Sequence, residues 1–448
     1  MVRDLTRGSL HRATWYLAPA MVLELGVLNV AQVLDAYWVG RLGPAALAAV
    51  TISTTMRWVL NSLANGLGTG GMAIVARWIG ARNEEAAAHA AGQTLLLALG
   101  ASLLLGVLGL AVSEPLLILM GADAAVLPLG LAYLRVALGG VSTLVLSLVI
   151  NAMLRGAGEA RLSMRVLVLS TATTVLLEPV LIFGLGPLPP LGVVGSAWAF
   201  VLGYGAGLIL QIILLLQGRT RLAIQLRHLR PDLPLMAQIA GIALPSTVQT
   251  TLRSSSRLAI LALVGLYGTF ATAGYGVANR LLLIALIPCF GLGNAASTLV
   301  GQNLGAGQPE RSERSAWWVS AYVAGYMAIA AGLLTLLAPS LIALFDPTPE
   351  VVALGAGCLR VVAWSEVASA VGVVLARSFD GAGNTVPAMV INLVSLWGFE
   401  VVAALGLLRW LGWSVTGIWW GRVLANLANG LLFVLWFRRG RWKQRDME

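Results

Sequence analysis

The chain has 448 residues, 58% hydrophobic and 11% charged, and its mean hydropathy is +0.85. A soluble domain carries roughly a quarter charged residues, so this composition excludes a water-facing globular surface and indicates an all-α polytopic membrane protein. The net charge of +10 does not point to nucleic acid, because the basic residues fall mainly between and beyond the apolar segments, and all but Lys443 are arginine.

A bilayer core needs about 20 apolar residues per helix. Along the chain, twelve stretches meet that length: 14–39, 46–74, 88–112, 125–153, 163–184, 192–217, 236–264, 271–300, 315–338, 350–377, 387–408 and 414–436. The first runs straight on to Asp35 and is read as a retained span, not a cleaved leader. The breaks are punctuated by turn-forming and charged residues, as in "GRLGP", "GARNEE", "SEP", "RGAGEAR", "DPTPE" and "DGAGN". They are too short to hold a soluble domain. The longest, "GRTRLAIQLRHLRPDLP", predicts a cytoplasmic linker at 218–235 between an N-lobe at 1–217 and a C-lobe at 236–448. Basic residues crowd the even-numbered breaks and both ends, whereas the odd-numbered breaks hold only Arg41 and Arg409. That bias places both termini in the cytoplasm.

The chain also resembles itself at an offset of 225. "VARWIGARNEE" from Val75 aligns with "VGQNLGAGQPE" from Val300, "RGAGEA" from Arg155 with "DGAGNT" from Asp380, and "LGPAALAAV" from Leu42 with "YGTFATAGY" from Tyr267. Six spans per repeat is an even number, so the two pseudo-symmetric six-helix bundles have the same orientation. Such an arrangement suits a transporter working by alternating access.

The ionisable groups inside the spans are the candidate site, since a charge there is expensive and usually functional. In span 1, Asn29, Gln32 and Asp35 share one helical face, and Glu24 lies about three turns before Asp35. In span 5, Thr171, Thr174 and Glu178 share a face, beside Pro179. Asn151 ends a polar stripe in span 4. If spans 1, 4 and 5 pack together, Asp35 and Glu178 form a carboxyl pair that holds a proton near neutral pH or, deprotonated, a hard cation such as Na⁺. The bland alternative for Asp35 is an interfacial pair with Arg41. In span 10, Glu366 is either a second coupling acid or the structural partner of Arg253 and Arg257, which stand one turn apart in span 7. Glu24 and Glu400 are either functional or paired with Arg57, Arg280 or Arg422. The Asn61–Asn65 and Asn279–Asn294 stripes read as interhelical hydrogen bonding, and Trp58 and Trp198 as mid-span rings suited to a cationic aromatic ligand. "GLGTGG" at 66–71 fits no nucleotide-binding pattern and reads as close helix packing. Cys289 and Cys358 form no CxxC, His11, His89 and His228 lie in flanks or loops, and no HExxH or GxSxG occurs, which argues against an enzyme.

Several of these stretches resemble the multidrug and toxic compound extrusion (MATE) transporters. "LDAYWVGRLGPAALAAV" (34–50) is similar to that family's first helix and loop; "VARWIGARNEEAA" and "VGQNLGAGQPERSE" to its paired loops after helices 2 and 8; "NAMLRGAGEAR" and "LARSFDGAGNT" to the paired ends of helices 4 and 10; "LLEPVLIFGLG" to its helix 5 acidic-Pro motif. The resemblance implies a secondary transporter in the bacterial inner membrane that exports small amphipathic, often cationic, compounds in exchange for H⁺ or Na⁺. It implies a monomer among membrane lipid, with no cofactor beyond the coupling ion and no nucleotide or nucleic-acid partner. Asp35 matches the family's helix 1 aspartate. Glu178 stands where one branch has aspartate, Thr174 where it has asparagine, and Glu366 where the NorM-like branch has a coupling acid. The helix 7 glutamate of that branch is missing here. A flippase for lipid-linked sugars is the rival within the same superfamily, kept open by Arg57, Arg253, Arg257 and Arg280.

Overall fold

The computed structural model describes residues 4–184, 189–409 and 413–444, with the side chains of Trp58 and Val59 excepted. The ring of Trp58 and all of Trp410, both singled out in the sequence, lie outside the described residues. Twelve long helical spans follow one another: α1 (Leu10–Gly40), α2 (Pro44–Gly80), α3 (Glu84–Leu119), α4 (Val126–Gly139 continued by Val141–Gly156), α5 (Ala160–Phe183), α6 (Val193–Leu216), α7 (Leu233–Gly265), α8 (Thr269–Gly305), α9 (Pro309–Leu336), α10 (Pro349–Gly381), α11 (Thr385–Arg409) and α12 (Thr416–Arg438). Among the described residues, nine are long and apolar enough to cross a bilayer, and α4 makes a tenth when its halves, bent by 49°, count as one span. The other two, α2 and α7, are 37 and 33 residues long and carry Arg57 in one and Arg253 and Arg257 in the other. Leu103, Leu104 and Val107 on α3 are 55%, 60% and 67% exposed, as expected where the solvent is lipid.

The helices outrun the apolar stretches because hydropathy marks the bilayer-thick part whereas caps set the ends. Asn83 starts α3 by accepting from the amide of Ala86 at 2.9 Å, and Glu84 and Glu85 occupy its dipole-favoured first turn. That helix runs through "SEP" to Leu119, so the expected break there moves to Gly121, at φ +86°. Two spans are internally irregular: α10 tightens to a 3₁₀ turn over Ala363–Ser365, just before Glu366, and α11 widens to a π-helix over Leu393–Val401, which includes Glu400.

The backbone repeats as the sequence does. The helices α2 and α8 are both 37 residues long, each led in by a glycine with positive φ, Gly43 at +106° and Gly268 at +92°. Gly158 and Gly383 repeat the same relation at +86° and +72°. Arg82 at +60° is the counterpart of Gly307 at +69°, and among the described residues it is the one non-glycine with positive φ.

The chain divides into two compact units, one built from Met1–Asp4 with Leu23–Thr247 and the other from Leu5–Val22 with Val248–Glu448. The boundaries after Val22 and Thr247 fall inside α1 and α7, at equivalent positions of the repeat. The first unit therefore reaches past 217 and takes in the stretch read as a linker, 218–235. Gln93 of α3 holds that stretch: its Nε2 donates to the carbonyls of His228 and Arg230 at 2.8 and 2.7 Å, and its Oε1 accepts from the amide of Asp232 at 2.9 Å. In the same unit the glycines of "GLGTGG" bring α2 against α7. A Cβ on Gly66 would lie 2.6 Å from the carbonyl oxygen of Ala243, and one on Gly70 would lie 2.8 Å from that of Ile239. This is the close packing expected of small residues between membrane helices.

Candidate functional site

In the first unit Asp35 lies near the end of α1 and Glu178 in α5. Pro179 has no N–H to give the carbonyl of Val175, which loosens the helix beside Glu178. The two carboxyl groups lie within electrostatic reach of each other. Glu178 is 2% exposed, and its Oε2 has no hydrogen-bond partner among the described residues. Asp35 is half-buried and accepts a 3.0 Å hydrogen bond from the hydroxyl of Ser196, in the first turn of α6. Among the described residues it has no ion pair with Arg41, which instead stands 5.8 Å from the ring centre of Phe183. The positive charge acting on Glu178 is Arg57 of α2. Its guanidinium carbon is 4.4 Å from the ring centre of Phe200 and 5.8 Å from that of Tyr133. Tyr133 is fully buried within the electrostatic reach of both acids, and its hydroxyl has no partner among the described residues. The arrangement is two acids, one cation held on aromatic faces, and unpartnered oxygen atoms. It can hold a proton or a small cation.

The other expected members of this group are placed differently. Thr174 is one turn from Glu178 but donates its hydroxyl to the carbonyl of Ser170 at 3.0 Å, as threonine often does inside a helix. Asn29 likewise donates to the carbonyl of Leu25 at 2.8 Å, and Gln32 is exposed. Asn151 joins a second cluster. Its Oδ1 accepts from Ser163 at 3.1 Å, and Ser163 also reaches Glu24 at 3.5 Å. Glu24, 6% exposed, is paired with Arg155 at 2.5 Å, a partner not among the three arginines considered from the sequence. Ser196, Tyr133 and Phe200 were missed; nothing in the sequence links them to Asp35, because they come from α6 and α4 and not from α1.

In the second unit Glu366 is 1% exposed. Its partner is neither Arg253 nor Arg257 but Arg422 of α12, whose Nε and Nη2 donate to Glu366 Oε1 at 3.1 and 2.8 Å while Nη1 donates to Asn279 at 2.9 Å. Sequence distance hid this pair: α12 returns beside α10 only after a further helix. Glu400, on the π-helical part of α11, lines a cavity with Glu366 and all three arginines. Trp198 is 43% exposed.

Comparison with known proteins agrees with this architecture. The MatE family profile matches residues 20–180 and again 245–405, so the second match is displaced by the same 225 residues as the internal repeat. The probable multidrug resistance protein YoeA of Bacillus subtilis (strain 168) is 27% identical over 439 residues, covering 96% of this chain and 94% of its own. An FAD transporter of Shewanella oneidensis is 27% identical over 377 residues and 83% of each chain. Among solved structures, the outward-facing conformation of a multidrug resistance MATE family transporter of the MOP superfamily superimposes with a TM-score of 0.91 at 26% identity. It covers 99% of this chain and 98% of that one. With both halves matched by the profile and the whole length shared with solved relatives, this chain belongs to the MatE family of multi-pass membrane transporters, not to an enzyme family.

Proposed function

We propose that the protein is a cation-coupled antiporter that exports small amphipathic, often cationic, compounds across a bacterial inner membrane, with both termini in the cytoplasm. The observation that carries this reading is the Asp35–Glu178 pair: two acids within electrostatic reach of each other, one of them 2% exposed with an oxygen left unpartnered among the described residues. Two negative charges in a low-dielectric pocket repel, so the pair is satisfied by one proton or one Na⁺. Taking up that ion from outside neutralises the pocket and favours release of the cargo. Returning it to the cytoplasm restores the charge and readies the site for the next molecule. A membrane potential of 100 mV supplies about 2.3 kcal/mol per charge moved, roughly a fiftyfold accumulation.

Relatives named for drug resistance support a drug-like cargo, and one named for FAD shows that family membership alone does not fix it. The test is efflux of ethidium from cells expressing the wild type or Asp35→Asn. The variant is expected to reach the membrane folded and to give no resistance or efflux. Wild-type resistance from Asp35→Asn would overturn the reading.

A further inference from the structure

The repeat places quite different groups at equivalent positions in the two halves. At the 225-residue offset Asp35 corresponds to Ile260 and Glu178 to Ala403, while Arg253 and Arg257 correspond to Leu28 and Gln32. The acids of the first unit have no counterpart in the second, and the paired arginines of the second have none in the first. Nothing in the shared fold therefore requires those arginines.

Arg253 and Arg257 stand one turn apart on α7 and line a cavity of about 60 Å³ with Arg422, Glu366, Glu400 and Asn392. The pairing within it is incomplete. Arg422 is fully engaged by Glu366 and Asn279. Arg253 makes one long contact, Nη2 to Asn392 Oδ1 at 3.4 Å, and its guanidinium stands 5.9 Å from the ring of Phe290. Arg257 has no hydrogen bond or ion pair among the described residues. Glu400 acts on both arginines, but among the described residues neither has a carboxylate oxygen within the 4.0 Å of an ion pair. Glu366 is taken by Arg422 and Asp380 by Arg377, so the two guanidinium groups feel Glu366, Glu400 and, for Arg253, Asp380 only at a distance. Like charges held together within a membrane helix are costly unless an anion joins them. The planar fork of arginine binds carboxylate and phosphate through two parallel hydrogen bonds. A water takes about 30 Å³ in the liquid and a drug-sized ligand needs roughly 300–1,000 Å³, so the space suits a small anionic group and not a whole cargo molecule.

We propose that this cavity is an anion-binding subsite in which Arg253 and Arg257 hold a carboxylate or phosphate group. The group is either the charged end of an amphiphile or a free inorganic anion. The proposal does not rest on the coupling role of Asp35 and Glu178, and an equilibrium binding test separates the two.

The test uses the purified full chain in detergent. Its melting temperature is followed against inorganic phosphate, against decanoate, and against methyl decanoate, which matches decanoate without its charge. All titrations run at constant ionic strength. The wild type is expected to be stabilised by at least one of the two anions and not by the ester. Arg257→Gln is expected to raise the half-maximal concentration at least tenfold, and Arg257→Lys, which keeps the charge and loses the fork, to raise it less. A response to phosphate assigns the site to a free anion; a response to decanoate alone assigns it to the end of an amphiphile. No stabilisation by either anion, or an unchanged midpoint in Arg257→Gln, overturns the proposal. If Arg257→Gln does not fold, the lysine variant decides, and wild-type affinity there is the overturning result.

Discussion

The hydroxyl of Ser196 donates a 3.0 Å hydrogen bond to Oδ1 of Asp35. The contact joins the start of α6 to the end of α1 and engages one oxygen of a carboxyl group that lies within electrostatic reach of Glu178 on α5. Among the described residues Asp35 has no ion pair with Arg41, six residues further along, which stands over the ring of Phe183.

On the proposed reading Ser196 supports the carboxyl pair and does not carry the ion. Ser196→Ala removes one hydrogen bond to a charged acceptor, worth about 1.5–3 kcal/mol. The expected outcome is a folded protein whose ethidium efflux falls severalfold without vanishing. Wild-type efflux from Ser196→Ala would remove Ser196 from the site.

Glu366 and Arg422 form a buried ion pair in the second unit, 1% exposed on the acid side. Breaking such a pair from one side strands a charge and costs about 3–5 kcal/mol, whereas replacing both partners is far milder. Arg422→Met is therefore expected to be strongly destabilised in detergent melts, and Arg422→Met with Glu366→Gln to recover most of the loss. Additive damage in the double variant would show that the pair is not coupled.

Packing between α5 and α6 depends on Gly203. A Cβ there would lie 2.7 Å from the carbonyl oxygen of Ser170 and 2.9 Å from the amide nitrogen of Thr174. Gly203→Leu should lose at least about 1–3 kcal/mol through overpacking, seen as a lower melting temperature and poor yield. Gly205→Ala is the control, because the nearest atom to its Cβ is Thr143 Cγ2 at 4.0 Å.

The docked 218–235 segment should respond to acid. Nε2 of His89 lies 3.1 Å from Oδ2 of Asp232, and this hydrogen bond, with a second from the amide of Leu235, holds the Asp232 carboxyl below its ordinary 3.8. A value depressed by folding gives stability that is present in full above about pH 4. It is lost as pH falls through the lower native value. Hydrogen exchange across 218–232 should stay protected at neutral pH and rise in strong acid. Gln93→Ala should raise it at every pH, since three of the anchoring hydrogen bonds end on that side chain.

Much of the fold was legible in the sequence because hydropathy and turn residues report local physics. The twelve spans, the repeat and the close packing at the glycines of 66–71 all belong to that class. Helix ends were less so: Asn83 and Gly121 set them by capping and left-handed geometry outside the apolar run. At the site, Asp35 and Glu178 were visible as carboxyl groups in apolar helices. Their neighbours Ser196, Tyr133 and Phe200 were not, since each arrives from another helix with no periodic signal. The partners of Glu24 and Glu366 were misassigned for the same reason. Side-chain pairing between helices depends on which faces meet, and a single helix's spacing does not record that.

The central claim is that Asp35 and Glu178 exchange the coupling ion. The most direct test is ethidium transport into proteoliposomes with a pH gradient or a Na⁺ gradient imposed separately, for the wild type, Asp35→Asn and Glu178→Gln. The account predicts that at least one gradient drives the wild type and that neither gradient drives either variant, with ethidium binding retained. Gradient-driven uptake by both variants at the wild-type rate would contradict it.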